Sequence, residues 1–283
     1  MRSGDETHNM AVFCDFENVA IGVREAKYEK FAIGKVLERL LVKGSIVVKK
    51  AYCDWDRYKE FKAPMHEAAF ELIEIPHVRQ SGKNSADIRM VVDALDLCYT
   101  KSHVDTFVII SGDSDFSPLV SKLRENNKEV IGVGVKHSSS DLLIANCDEF
   151  IYYDDLVREK APKKPVRRKK TVKAANDGVA PVAEEISEPI AEPGDRTQHA
   201  IDLVVETFEA LIGERGEDEK IWGSMIKQAL KRRNPGFNES YHGFRSFNNL
   251  LEEAQLRGML SLERDEKSGG YIVRSSSYDA SLL

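Results

Sequence analysis

The sequence has few of the features that mark membrane, secreted or thiolate-metal proteins. None of its apolar runs approaches the roughly 18 to 20 residues of a membrane span, and residues 1–9 are too polar for a signal peptide. Its four cysteines are spread along the chain without a Cys-x-x-Cys pair, which argues against a thiolate zinc site. We therefore expect a reduced, cytoplasmic protein that makes no membrane contact.

Several common catalytic motifs are also missing. The sequence contains no Gly-x-Ser-x-Gly elbow and no His-Glu-x-x-His pair. Gly132-Val133-Gly134 lies inside an apolar run, so it does not read as a glycine-rich phosphate loop. Asp113-Ser114-Asp115 lacks the Gly and Glu that would complete an EF-hand loop. Without these motifs, the carboxylates are the candidate functional groups.

The charge of the chain is distributed unevenly. The 283 residues carry a net charge of −6, and 42% of them are hydrophobic, too many for a wholly disordered protein. By segment, the net charge is −6 over residues 1–157, +8 over 158–176, −5 over 177–196 and −3 over 197–283. The positive charge is therefore concentrated in one short stretch.

Residues 158–196 predict a disordered linker between two folded domains. The run Ala161–Lys170 combines Pro with Lys and Arg, and the stretch after it is rich in Ala, Pro and Glu without apolar periodicity. We place the domains at residues 1–157 and 197–275, followed by a tail at 276–283. The basic run either neutralises nucleic-acid phosphates or acts as a solvated spacer, and we favour the first role. Its candidate contacts are Arg167, Arg168, Lys169 and Lys170.

The first domain alternates short apolar runs with amphipathic segments. Apolar strands separated by helices are typical of a parallel sheet covered on both faces, so we predict an α/β, doubly wound fold. The predicted strands are Ala11–Cys14, Ile46–Tyr52, Leu72–Pro76, Thr106–Ile110, Glu129–Val135 and Phe150–Tyr153. The predicted helices are Phe31–Val42, Lys59–Phe70, Ala86–Cys98, Ser117–Asn126 and Ser140–Asn146.

The last domain predicts a different layout, in which three helices precede a β-hairpin. This order of elements is typical of a winged helix. The predicted helices are Gln198–Ile212, Ile221–Arg232 and Phe244–Gln255, and the predicted strands are Met259–Glu263 and Tyr271–Val273.

Four carboxylates fall where the first domain has strand ends or a helix start. Asp15 follows the first strand, Asp113 and Asp115 follow the fourth, and Asp87 opens a helix. In open α/β sheets the functional crevice lies beyond the carboxyl ends of the strands, so these side chains can converge. Alternatives stay open: Asp87 could complete a capping box begun by Asn84, and Asp113 and Asp115 could belong to an ordinary turn.

A cluster of carboxylates predicts a hard divalent cation. Carboxylates that share a pocket repel one another unless a cation offsets their charge, and oxygen ligands suit Mg²⁺ or Mn²⁺. Such ions activate water and clamp phosphodiesters.

Three segments of the first domain resemble the motifs of NYN domains, including the LabA-like proteins of the PIN-like nuclease superfamily. They are Val12–Asn18, Lys83–Ile88 with Val92–Leu95 on the same helix, and Ile109–Val120. The resemblance spans about residues 10–155 and implies a Rossmann-like PIN fold and metal-dependent cleavage of RNA. It implies that Asp15, Asp87, Asp113 and Asp115 bind metal and that Asn18 is their polar partner. Asp93, Lys83 and Ser111 are then candidates for supporting roles or phosphate contacts.

The last domain resembles an OST-HTH, or LOTUS, domain. The residues that carry the likeness are 221–237 and 241–251, and the likeness spans about 197–275. It implies a winged-helix module that binds RNA or a protein partner. Candidate RNA contacts are Lys227, Lys231, Arg232 and Arg245, although a solvated helix face explains them equally well.

We therefore expect a ribonuclease that uses Mg²⁺ or Mn²⁺ on single-stranded or structured RNA. One alternative is a non-catalytic RNA-binding adaptor that keeps the fold but does not turn over. A weaker one is a phosphatase or phosphoacceptor domain, since these also place aspartates at strand ends. The sequence leaves the oligomeric state open.

Overall fold

A six-stranded parallel sheet organises the first half of the protein. This computed structural model describes residues 8–75, 85–158, 193–215, 219–265 and 269–275. The strand order is β3-β2-β1-β4-β5-β6, so the chain builds outward from β1 in one direction and from β4 in the other. The strands are β1 (His8–Asp15), β2 (Gly44–Cys53), β3 (Glu71–Glu74), β4 (Thr106–Ile110), β5 (Glu129–Gly134) and β6 (Glu149–Tyr152).

Helices cover both faces of this sheet. Alternate residues of β1 point to opposite faces, so Val12 lies in one buried cluster and Phe13 in the other. The helices are α1 (Phe16–Glu25), α2 (Ile33–Leu41), α3 (Lys59–Glu67), α4 (Ser85–Thr100), α5 (Ser117–Glu125), α6 (Asp141–Asn146) and α7 (Tyr153–Val157). A short 3₁₀ turn, Ser114–Phe116, precedes α5. The predicted α/β fold with a parallel sheet is confirmed.

The C-terminal region has a separate buried core. Its helices are α8 (Pro193–Arg215), α9 (Gly223–Arg233) and α10 (Phe247–Leu256). Its strands β7 (Ile221–Trp222), β8 (Leu260–Arg264) and β9 (Tyr271–Ser275) form an antiparallel sheet in the order β7-β9-β8. The large side chains of this core include Phe208, Ile226, Leu230, Leu250 and Leu251.

The structure differs from the sequence prediction at three elements. Helix α1 begins directly after β1 and is absent from the prediction, because its first residues belong to the Val12–Asn18 motif and were not assigned to a helix. Helix α7 falls where Tyr153 was assigned to a strand. Ile221 and Trp222 were predicted to start a helix, but they pair with Val273 and Ile272 of β9 as a short strand. The predicted linker lies mostly outside the described residues, as does the tail.

The C-terminal region packs against the outer edge of the large sheet. The backbone N–H of Phe150 in β6 donates to the carbonyl of Pro235 at 3.0 Å. Asn238 donates to Asp155 at 3.0 Å, and Lys231 lies 3.4 Å from Glu149. The edge of β6 thus receives a backbone partner from the C-terminal region, which covers groups that an exposed edge strand would leave open.

All four cysteines are free and buried, as expected for small apolar side chains in a reduced protein. Within the described ranges, no helix is both long and apolar enough to cross a membrane.

Two glycine substitutions test the packing with opposite expected signs. A Cβ added at Gly132 in β5 would lie 2.3 Å from the Phe150 ring, whereas one at Gly34, exposed on α2, would meet no atom within 4 Å. We expect Gly132→Ala to destabilise the protein by about 1–3 kcal/mol through overpacking. We expect Gly34→Ala to stabilise it by about 0.5–1 kcal/mol through helix propensity. Urea unfolding measures both, and equal effects of the two variants would contradict the packing described here.

Candidate active site

The candidate site lies where the two central strands end side by side. Strand β1 ends at Asp15, and Ser111 directly follows β4, its parallel neighbour. The Ser111 hydroxyl donates to Oδ2 of Asp15 at 3.0 Å, and both residues are buried. This point is also where the order of strands reverses, which is the usual position of the functional crevice in open α/β sheets.

Ser111 links Asp15 to the acids of the motif that follows β4. Its hydroxyl also accepts the backbone N–H of Asp113 at 3.2 Å, and Oδ1 of Asp113 accepts the backbone N–H of Asp115 at 2.9 Å. A chain of hydrogen bonds therefore connects Asp15, Ser111, Asp113 and Asp115. Ser111 is fully buried, and its hydroxyl bonds to Asp15 and to the backbone of Asp113. These bonds favour a supporting role for Ser111 over a phosphate contact, and its role in the reaction stays a prediction.

Asn18 fixes the turn that carries these acids. Its side-chain carbonyl, on the first turn of α1, accepts the backbone N–H of Gly112 at 2.9 Å. From the other side, the Gly112 carbonyl accepts the Ser140 backbone N–H at 2.9 Å. A Cβ on Gly112 would lie 2.4 Å from the carbonyl oxygen of Ser138, so this turn has room only for glycine.

Asp87 interacts electrostatically with the other acids of the site. It lies on the first turn of α4 and is partly buried. Burial and, next, the charge of Asp87 raise the pKa of Asp15 to about 7, although the bonds from Ser111 and Asn18 act in the opposite direction. Burial and then the charges of Asp113 and Asp115 raise the pKa of Asp87. The four predicted acids therefore share one negative environment.

Glu17 also contributes negative charge to this environment, although its position in the sequence does not by itself predict a role in the site. Its charge raises the pKa of Asp87 after Asp113 and Asp115, and its carboxylate lies 3.1 Å from the guanidinium of Arg57. The only sequence signal for Glu17 is its place between Asp15 and Asn18. The sequence gives no indication that Arg57 belongs near the site, because it lies in the loop after β2 and contacts Glu17 only in the folded protein.

The donor set fits a hydrated hard cation better than a fully chelated one. Among the described residues, no group of three or more His, Cys, Asp or Glu side chains is arranged to hold a metal ion together. Mg²⁺ commonly keeps several waters and binds to proteins through one or two carboxylates. The site offers carboxylates whose raised pKa values a cation would lower, so its chemistry suits Mg²⁺ or Mn²⁺.

An open groove of about 710 Å³ adjoins the acids. Asp87, Asp115 and Ser117 line it together with apolar side chains. Ile88, Val92 and Leu142, which also line it, are 63%, 56% and 58% exposed. The groove therefore combines negative charge at one side with uncovered apolar surface at the other.

Other residues selected from the sequence have different surroundings. Asp93 accepts from Tyr52 at 2.9 Å and Arg89 at 3.0 Å, and it lies 3.5 Å from Lys50. Its described partners are thus outside the acidic cluster, and its supporting role stays a prediction. The helical rotation between Asp87 and Asp93 explains the difference, since it turns the two side chains to different faces of α4.

Several of the basic side chains predicted to contact RNA already have partners within the protein. Lys227 pairs with Glu239 at 2.8 Å, and Lys231 contacts Glu149 of β6. Arg232 donates to the carbonyl of Gln228, one helical turn earlier. Arg245 is exposed. Lys83, Arg167, Arg168, Lys169 and Lys170 lie outside the described residues.

A doubly wound parallel sheet with aspartates at the ends of β1 and β4 agrees with the PIN-like class of nuclease folds. Residues 9–154 match the model of the NYN domain, a PIN-like nuclease family. The chain belongs to the NYN domain family.

Known proteins share this part of the chain at low identity. The protein is 25% identical over 158 residues to the "Meiosis regulator and mRNA stability factor 1" of Xenopus tropicalis, covering 56% of this chain and 9% of the relative. It is 27% identical over 160 residues to an uncharacterized protein of Methanocaldococcus jannaschii, covering 56% of this chain and 61% of the relative. A crystal structure of a protein of unknown function from Vibrio parahaemolyticus is 27% identical, with a TM-score of 0.49 over 55% of this chain and 98% of that one.

Replacing Asp15 by Asn tests the electrostatic cost of the site. The carboxyl titrates near 3.8 when unfolded and near 7 when folded, so the unfolded state loses its proton first as pH rises. In EDTA, the unfolding free energy of the natural protein should therefore fall between pH 4 and 7. We expect Asp15→Asn to remove about 2–3 kcal/mol of that fall.

Urea unfolding at pH 4 to 8 measures the difference. The matched control is Asp96→Asn, which removes an exposed carboxylate farther along α4. Parallel pH profiles for Asp15→Asn and the natural protein would contradict the buried, charge-coupled state of Asp15.

Proposed function

We propose that this protein is a metal-dependent ribonuclease that hydrolyses phosphodiester bonds at the ends of β1 and β4. The observation that carries the proposal is the hydrogen-bonded chain from Asp15 through Ser111 to Asp113 and Asp115. A purely structural turn does not require three more carboxylates around one buried acid, since unpaired buried charge is costly. Membership of the NYN family supports the same reaction class.

The residues divide into those that meet the cation and those that position them. Asp15, Asp87, Asp113 and Asp115 would hold Mg²⁺ or Mn²⁺, which supplies water activation and charge stabilisation when it is bound. Ser111 and Asn18 fix the backbone and carboxylate positions, so the acids need little reorganisation. Without a cation, the same acids repel a phosphodiester, which makes RNA binding at this crevice depend on the ion.

The groove beside Asp87 and Asp115 provides a place for a nucleotide next to the scissile bond. Ile88, Val92 and Leu142 expose apolar surface that an unpaired base can cover, since burying apolar surface is favourable whatever the base. The groove thus favours contact with unpaired bases.

We propose that residues 1–157 form the nuclease domain and that residues 197–275 form an OST-HTH domain joined to it by 158–196. Three helices followed by a β-hairpin support the assignment of the second unit. It would recruit RNA or a protein partner. Lys231 contributes to the contact with β6, so the surface left for such a partner is smaller than the basic helix suggests.

A non-catalytic RNA-binding adaptor is the second candidate. The observation in its favour is that no three acidic or His and Cys side chains within the described ranges are arranged to hold a metal together. In that case the acids would shape an RNA-binding crevice without turnover.

A cleavage assay with site variants tests the proposal. The purified chain is incubated with single-stranded and with structured RNA in Mn²⁺, Mg²⁺ or EDTA. We expect cleavage only with the metals, and a fall of at least about a hundredfold in Asp113→Asn, because one of the groups that stabilise the transition state is lost.

The control for this assay is Asp96→Asn, which removes the same charge from an exposed site on α4. Binding without cleavage in every metal would support the adaptor. Turnover of a small phosphomonoester alone would identify a phosphatase and contradict the nuclease. Equal losses in Asp113→Asn and Asp96→Asn would show that the acidic crevice is not the reaction site.

A further inference from the structure

A second cleft, of about 380 Å³, lies between the large sheet and the C-terminal region. Lys136 and Tyr152 line it from the sheet side, and His199, Tyr241 and His242 line it from the other. The cleft exists only because the two parts of the chain are packed together.

Three cations surround the ring of Tyr241, and of these Lys136 also lines the cleft. Nζ of Lys136 lies 3.7 Å from the centroid of the Tyr241 ring and also donates to its hydroxyl. The guanidinium carbons of Arg196 and Arg158 lie 5.2 Å and 5.5 Å from the same centroid. Cation–π attraction to Tyr241 holds these like charges near one another.

No described carboxylate pairs within 4 Å with a side-chain nitrogen of this cluster, although Asp154 accepts the backbone N–H of Lys136 at 2.8 Å and Asp141 lines the same cleft. Asp155 acts on Lys136 and Arg158 from a greater distance, but its carboxylate accepts a hydrogen bond from Asn238.

Arg196 also has an unused donor. Its Nε is buried and has no hydrogen-bond partner among the described residues. A buried N–H without a partner costs free energy, and an anion with several acceptor oxygens would satisfy it. Burial lowers the pKa of the neighbouring His242, the hydrogen bond with the Arg196 carbonyl acts in the opposite direction, and the charges of His199 and Lys136 lower it further.

The cluster lies at the same end of the sheet as the acids. Lys136 follows β5, the neighbour of β4, and Arg158 follows α7, the helix that begins directly after β6. Adjacent strands are about 4.8 Å apart, so the end of β5 lies about 5 Å along the sheet from the end of β4. The loop from Lys136 to Ser140 joins the two sites, because Ser140 donates to the carbonyl of Gly112.

We propose that this cleft binds the backbone phosphates of a single RNA strand as it leaves the acidic site. The inference rests on the proposed function and adds the path of the substrate to it. Guanidinium and ammonium groups suit phosphate oxygens, and the cleft has the size of a site for one small ligand, so it admits one strand rather than a duplex. An acidic protein fits less well, because the proposed function already brings an RNA strand to the adjoining acidic site.

Direct binding measurements test the cleft without requiring turnover. Fluorescence anisotropy with a labelled short single-stranded RNA, in EDTA and over a range of salt concentrations, compares the full chain with Arg158→Gln/Arg196→Gln. We expect Kd to rise about tenfold at about 0.1 M salt, and the slope of log Kd against log salt to fall by about 1.4, for two lost phosphate contacts.

The matched control is Lys101→Gln/Lys122→Gln, which removes two charges near the opposite end of the sheet. It should change Kd less than twofold. If the double arginine variant does not fold, as judged by circular dichroism, Arg158→Gln alone keeps the test, because Arg158 is exposed. Its expected loss is about threefold.

Three results would overturn the inference. They are unchanged binding in a folded arginine variant, equal losses in the arginine and lysine variants, and competition by polyglutamate as strong as that by unlabelled RNA. The last would identify an acidic protein as the ligand. Cleavage of RNA with unchanged binding in the arginine variant would overturn only this inference. A loss of binding in that variant, without cleavage by the natural protein, would overturn only the nuclease.

Discussion

The burial of one carboxylate at the end of the central strand constrains the rest of the site. Asp15 is 7% exposed, and removing a charge from water is costly unless hydrogen bonds and opposite charge compensate. Ser111 and the backbone of Asn18 supply the hydrogen bonds. They do not supply positive charge, and Asp87 adds more negative charge. The fold therefore holds its central acid in a state that a cation would stabilise.

This constraint explains the backbone around the site. The Ser111 hydroxyl can reach Asp15 only because β1 and β4 are adjacent and parallel, with Cys14 opposite Ile110. Gly112 then has to pass between Asn18 and the loop that follows β5, where a Cβ finds no space. The strand order that reverses at this point is thus the reason that two distant segments of sequence form one crevice.

The sequence predicts the sheet well and the contacts across it less well. Continuous apolar runs such as Thr106–Ile110 identify buried parallel strands because no residue has to face water. Acids that follow those runs identify the crevice for the same topological reason. Helix α1 is missed because its first residues carry the site motif. The contact of Phe150 with Pro235 leaves no trace in sequence, since it joins the backbones of segments far apart in the chain.

The distribution of charge follows from the same geometry. Under the proposed function, the acids alone cannot attract RNA, so positive charge has to come from elements that end near them. Lys136 follows β5, Arg158 follows α7 and Arg196 lies on α8. The three cations surround the ring of Tyr241, and no described carboxylate pairs with their side-chain nitrogens, although Asp154 and Asp155 lie close by. Packing of the C-terminal region on β6 therefore places positive potential beside the negative site, where the overall charge of −6 gives no sign of it.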